Sequence, residues 1–153
     1  MPPSRQVLGP VLLFYAPPPF VPEDPGGVEL LPQHEIEALF ARLPRGEIAE
    51  SGLAEVTSPV LGSRAPAGEL AAVCRCRRWP NDVAHLSVLA DPAHRRQGHA
   101  GRALAAAIRQ ALSRGLLPQW RAGAVASQAA ASEAVARSVG LVQYGAELSL
   151  ELA

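Results

Sequence analysis

Along the chain, apolar and polar residues alternate or recur in patterns that predict short strands separated by a few helices. The apolar-rich run "QVLGPVLLFYA" (6–16) predicts a first strand, and "APPPFVPEDPGG" (16–27), crowded with proline and glycine, predicts an irregular connector. Ile36, Leu39, Phe40 and Leu43 then fall at i, i+3, i+4 and i+7, one face of a helix that Pro44 helps to end. "EIAESGL" (47–53) adds a short second helix. "AEVTSPVLG" (54–62) predicts a strand whose Pro59 suits an edge or a bulge, followed by a loop, "SRAPAG" (63–68). "ELAAVCRCRRW" (69–79) and "VAHLSVLAD" (83–91) flank the turn "PND" and predict an antiparallel hairpin. A helix follows from about His99 to Ser113, with Leu104, Ile108, Ala111 and Leu112 on one face and Gly115 at its end. "PQWRAGAVA" (118–126) is the next strand. Ser127 can cap a helix over 128–139 that Gly140 stops, and "LVQYGAELSLELA" (141–153) closes the pattern as paired strand segments around Tyr144–Gly145. The expectation is an α+β fold: a mixed, mostly antiparallel sheet flanked by helices on both faces.

Composition narrows what such a fold can do. The 153 residues suit one compact domain, and no internal repeat is present. Fourteen basic and fourteen acidic residues cancel, so no global field points to nucleic acid or to a membrane surface, and an anion site has to be local. No window approaches eighteen unbroken apolar residues and no signal-peptide pattern opens the sequence, which together predict a cytoplasmic protein. Cys74 and Cys76 sit two apart, neither a redox pair nor a zinc pattern, and read as small apolar strand residues; no metal site is expected.

The local anion site is the run "ADPAHRRQGHAGRAL" (90–104), where a strand hands over to a helix. A helix N-terminus presents unpaired N–H groups and a partial positive charge. With an inward-turned loop before it, such an end can hold a diphosphate largely by backbone. Gly98 lets the backbone approach a phosphate closely, Ala100 is nearly as small, and Arg95 and Arg96 add charge-assisted hydrogen bonds. GxxxxGK[ST] and GxGxxG are both absent, which argues against nucleotide binding by a Walker loop or a dinucleotide fingerprint. What remains is Arg95-x-x-Gly98-x-Ala100.

Arg-x-x-Gly-x-Ala between a strand and a helix resembles the acyl-CoA pyrophosphate loop of the GCN5-related N-acetyltransferases, the GNAT family. "VLADPAHRRQGHAGRAL" resembles that family's strand, Asp-Pro, Arg-rich loop and helix. "ASEAVARSVGLVQYG" resembles its second conserved segment, and "GLLPQWRA" is similar to bacterial members. The resemblance covers about Gly68 to Glu151 and implies a single GNAT-like domain over 1–153. Its CoA-binding core would be about 68–151, with 1–67 on the acceptor side. It also implies that the strand before the loop splays from the next one and that the pantetheine arm of acetyl-CoA lies between them. Strand contacts would then be Val88, Leu89 and Ala90. Pyrophosphate contacts would be Arg95, Arg96, Gln97, Gly98, His99, Ala100 and Gly101. The implied reaction is direct acetyl transfer from acetyl-CoA to an amine acceptor, a small molecule or a protein amine. No nucleic acid, membrane or metal is implied, and a homodimer stays open.

Catalytic groups are harder to place. Many family members carry a tyrosine four residues before the glycine that ends the last helix, as the acid that protonates the leaving thiolate; here that position is Ala136. Ala129 stands where an asparagine is frequent, and Leu141 where a large aromatic follows the glycine. A lysine-like amine has a pKa near 10.4 and has to lose a proton before it attacks. His85, on the strand leading to the cradle, is the candidate base. Tyr144, in the closing segment, is the candidate acid, weighed against a packing role for each. His34 reads as structural or surface, and His94 and His99 belong to the loop. Glu47, Glu50 and Glu55 lie on the acceptor side and read as solvated carboxylates; Trp79 and Trp120 read as core or cleft wall. The rival reading is a non-catalytic acyl-CoA-binding or partner-assembly module of the same fold.

Overall fold

The computed structural model describes residues 6–17, 19–51, 53, 59–122 and 126–151. Seven strands carry the fold: β1 (Gln6–Tyr15), β2 (Val28–Leu30), β3 (Val60–Arg64), β4 (Leu70–Trp79), β5 (Val83–Ala90), β6 (Leu117–Ala122) and β7 (Val142–Glu151). Helices α1 (Gln33–Phe40) and α2 (Arg45–Ser51) lie between β2 and β3. Helix α3 (His99–Ser113) joins β5 to β6, and α4 (Ala126–Ser138) joins β6 to β7. The sheet order is β2-β3-β4-β5-β6-β1-β7; only β5 and β6 pair in parallel.

Strand alternation divides the core into two layers. Leu61, Ala72, Cys74, Leu86, Trp120 and Phe14 point to one face, where they meet Leu104, Ala107 and Ile108 of α3 and Ala136 of α4. Val60, Leu70, Val73 and Leu89 point to the other and meet Ile36 and Leu39 of α1, with Leu43 beyond it. A mixed sheet with helices on both faces is therefore the observed architecture. Cys74 is buried and Cys76 partly so, which agrees with their reading as small strand residues.

Several boundaries differ from the sequence pattern, each for a local reason. Helix α1 stops at Phe40, but its apolar face continues because the turn that follows still delivers Leu43 to the core. Pro44 also opens α2, its carbonyl accepting from Ile48 N at 3.2 Å. Ser63 and Arg64 extend β3 rather than forming a loop, since they pair with β4 and Val28 of β2 pairs with Ser63. The predicted 54–58 part of that strand lies outside the described residues. Helix α4 begins at Ala126, one residue before the expected cap Ser127. At the β4–β5 turn, Asn81 and Asp82 adopt φ of 64° and 57°, a left-handed conformation that Asn and Asp tolerate.

The closing segment departs most. Instead of paired segments around Tyr144–Gly145 it is one strand, β7, and its partner is β1. Strand β1 lies between β6 and β7, with Leu13 opposite both Arg121 and Gly145. The ladder shifts register between Leu8 and Val11, where Gly9-Pro10 removes one N–H donor.

Candidate functional site

Strands β5 and β6 pair from Val83–Leu117 only to Leu86–Trp120. Beyond that point β5 continues to Ala90 along β4, while Arg121 and Ala122 of β6 continue along β1. The sheet therefore forks after Leu86–Trp120. Ser87, Val88, Leu89 and Ala90 line one side, with backbone that has no β6 partner. The indole of Trp120 donates to Ser132 O at 3.2 Å and ties α4 to the other side.

At the outer end of β5 the chain enters the loop. Asp91 is buried, its Oδ1 accepts from Ala93 N at 2.9 Å, and its Oδ2 lies 3.4 Å from Arg42 Nε beside α1. This carboxylate shapes a short 3₁₀ turn over Pro92–His94. Arg96 (φ 63°) and Gly98 (φ 82°) then adopt left-handed backbone, and α3 begins at His99. Gly98 has no side chain to cap the helix, and a Cβ built there would touch nothing within 4 Å. The space beside Gly98 is thus open, at the positive end of a fifteen-residue helix whose first-turn N–H groups have no partner within the helix.

Side chains around the cradle differ in availability. Arg96, Gln97 and Gly98 are exposed. Arg95 is exposed too, but its guanidinium is shared by both oxygens of Glu47 on α2 at 3.0 Å. Glu47 is therefore an ion-pair partner of the loop. His99 turns inward, its Nδ1 2.9 Å from Ser63 Oγ; burial, then His94 and Arg102, holds its pKa below the usual value. Only its backbone faces the cradle. His94 lies 3.8 Å from Glu69.

On the α2 side of the fork is a cavity of about 170 Å³ lined by Ala49, Ser51, Arg75, Arg77, Trp79, His85 and Ser87. His85 stacks on Trp79 with ring centroids 4.2 Å apart and planes within 10°. Its Nδ1 is buried with no partner among the described residues. Burial first, then Arg121 and Arg77, lowers its pKa to about 4. His85 is neutral at pH 7, and a base that weak lies about six units below a lysine-like amine, roughly 8 kcal/mol uphill for direct proton transfer.

Tyr144 is half exposed on β7, edge-on to Tyr15 at 5.0 Å, and its hydroxyl accepts from Gln119 Nε2 at 2.6 Å. Gln119 sits opposite His85 in the ladder, one pair short of the fork, and its Oε1 is buried without a partner among the described residues. The two catalytic candidates, far apart in sequence, thus flank one glutamine. Ala136 is fully buried against the core, so no acid stands at that helix position. Glu55 and the side chain of Glu50 lie outside the described residues.

The roles of Arg42, Ser63, Arg77, Ser87, Asp91 and Gln119 escaped the sequence reading. Strand alternation could have placed Arg77 and His85 on one face. Nothing local announces the long-range partners of Asp91 or Gln119.

A forked sheet with a helix N-terminus at its open end defines an acyl-CoA N-acyltransferase architecture. The sequence profile of the Acetyltransferase (GNAT) family matches residues 30–140, and the chain belongs to that family. A protein assigned to the GNAT family from Novosphingobium aromaticivorans superposes with a TM-score of 0.72 at 25% identity, covering 96% of this chain and 66% of that one. An acetyltransferase of the same family from Colwellia psychrerythraea (TM-score 0.66, 14% identity, 98% and 57% covered) and a GCN5-related N-acetyltransferase from Kribbella flavida (0.65, 20%, 95% and 58%) share the fold. The chain thus spans between about half and two thirds of the length of these structures. No curated protein matches it. Among the described residues no helix is long and apolar enough to cross a membrane.

Proposed function

We propose that this chain is an acetyl-CoA-dependent N-acetyltransferase that moves an acetyl group directly to a primary amine. One observation carries the reading: the fork after Leu86–Trp120 leads along β5 to an uncapped helix N-terminus behind Gly98. A thioester in the fork and a diphosphate at the helix would be joined by a pantetheine arm along Val88, Leu89 and Ala90. Backbone N–H groups of Gly98, His99, Ala100 and Gly101 would hold the diphosphate, with Arg95, Arg96 and Gln97 around it. Glu47 competes for Arg95 and exchanges it for phosphate on binding.

In this scheme the neutral amine adds to the thioester carbon, and the tetrahedral oxyanion that results, held by backbone N–H groups, collapses with cleavage of the C–S bond. The ammonium proton passes to solvent or a nearby base, and the CoA sulfur leaves as a thiol after taking one proton. Tyr144 is the proposed proton donor: its phenol oxygen accepts a hydrogen bond from Gln119 Nε2, which leaves its own O–H to donate. His85 is better suited to accept a hydrogen bond from the amine than to take its proton outright.

Calorimetry with CoA and thiol release from acetyl-CoA across a mixed amine panel test the proposal. Micromolar binding and turnover of at least one amine are expected; no binding at millimolar CoA refutes it. Buried Ala136, where related chains carry an acid, favours one rival, the non-catalytic acyl-CoA-binding module. Tight CoA binding with no turnover on any amine selects that rival.

A further inference from the structure

Resting on that acetyltransferase reading, we propose that the cavity beside the fork receives the acceptor, and that the acceptor is a small amino acid whose carboxylate is held by Arg77. Position is the first argument. Ser87, in the cavity wall, is the first residue of β5 beyond the last β5–β6 pair, so the cavity meets the fork at its closed end. The diphosphate cradle is at the opposite end of β5. A molecule entering from the α2 side would bring its amine to the reacting end of an acyl chain laid in the fork.

Charge is the second argument. Among the described residues that line it none is acidic, and two are arginines. Arg77 is exposed at the rim and makes no hydrogen bond or ion pair among the described residues. The positive potential also registers on a neighbour: Arg121 and Arg77 both work against a proton on His85. An acceptor with a second cation, such as a diamine, would set that cation against the same guanidinium. A carboxylate beside the amine would instead meet a planar fork of donors built for it. A positive surrounding also favours the neutral form of the attacking amine.

Shape is the third. The stacked pair of Trp79 and His85 makes a flat wall, and the hydroxyl-bearing Ser51 and Ser87 lie in the lining beside it. A volume near 170 Å³ admits a small acceptor.

The test compares matched acceptors: alanine with ethylamine, methionine with 3-(methylthio)propylamine, phenylalanine with phenethylamine, and each amino acid with its amide. The amides have more readily deprotonated amines, so basicity alone would favour them. Thiol release gives kcat/KM, and NMR titration in the presence of CoA gives binding. Amino acids should exceed the other members by about 10²-fold, the scale of a charge-assisted bidentate pair. Arg77→Ala should collapse that ratio towards one, mainly through KM, and Arg77→Lys should restore part of it. Equal or better turnover of amines or amides, or a ratio unchanged in Arg77→Ala, overturns the inference and leaves the acetyltransferase reading intact. CoA binding with no acceptor bound or consumed also overturns it. Failure of CoA itself to bind removes the acetyltransferase reading, and the inference with it.

Discussion

Replacing Gly98 with alanine separates what the cradle does for folding from what it does for CoA. Gly98 has φ 82° and ψ 5°, a left-handed conformation that costs an L-residue about 1–2 kcal/mol. An alanine Cβ at this position meets no protein atom within 4 Å, so no clash adds to that cost. For a chain of this size, the melting temperature should fall by roughly 2–8 °C. If a diphosphate occupies the same open space, the methyl group holds it away from the first-turn N–H groups. Charge-assisted hydrogen bonds are worth about 1.5–3 kcal/mol each, and losing two weakens CoA by about 10²- to 10⁴-fold. Calorimetric titration at 15 °C, with folding of both proteins checked by circular dichroism, reads affinity independently of stability. A folded Gly98→Ala protein that binds CoA within threefold of the parent would refute the cradle.

Four further outcomes follow from other contacts. Glu47→Ala frees Arg95 and should tighten CoA about two- to fivefold at low salt, an effect that 0.5 M salt erases; weaker binding would mean that Glu47 orients Arg95 instead of competing for it. Tyr144→Phe keeps the ring and should lower kcat about 10²-fold with CoA affinity unchanged; an unchanged kcat on a verified acceptor leaves the hydroxyl no role as acid. His85 is neutral when folded with pKa about 4 against 6.5 when unfolded, so acidification from pH 6.5 to 4 protonates only the unfolded chain, and up to about 3 kcal/mol of stability present above pH 6.5 is lost. Urea titrations should show that loss shrinking in His85→Phe. Asp91→Ala leaves Ala93 N without its acceptor and removes the carboxylate beside Arg42, which keeps only its bond to Leu70 O; it should cost about 1–3 kcal/mol in folding while also weakening CoA binding.

Elements with strong local periodicity were legible in the sequence. Helix α3 runs from His99 to Ser113, because small and apolar residues recur at its spacing and glycines bracket it. The hairpin of β4 and β5 was equally plain, since long alternating runs flank Pro-Asn-Asp. Strand β2 was not, being three residues after a proline-rich stretch, and only pairing with β3 makes it a strand. Nor was the pairing of β7, since no local pattern says that Tyr15 will meet Val142 across more than a hundred residues. For the site, the cradle could be read because its chemistry lies in one run of chain. The surroundings of His85 could not: they come from β4, β6 and α2, and the imidazole's burial and charged neighbours are tertiary facts.

The insertion of β1 between β6 and β7 has a consequence for biosynthesis. Val7 pairs with Leu150 in the ladder, so β1 is zipped to a strand made some 140 residues later. Neither flanking strand exists when "VLLFY" leaves the ribosome, and for most of translation this apolar, β-prone segment has no ladder to join. Closing so long a loop makes the pairing of β1 with β6 and β7 a late event, with a rate set by contacts distant in sequence rather than by local helix formation. During that interval the nascent chain carries an apolar, unpaired strand, open to pairing with other chains until β6 and β7 arrive.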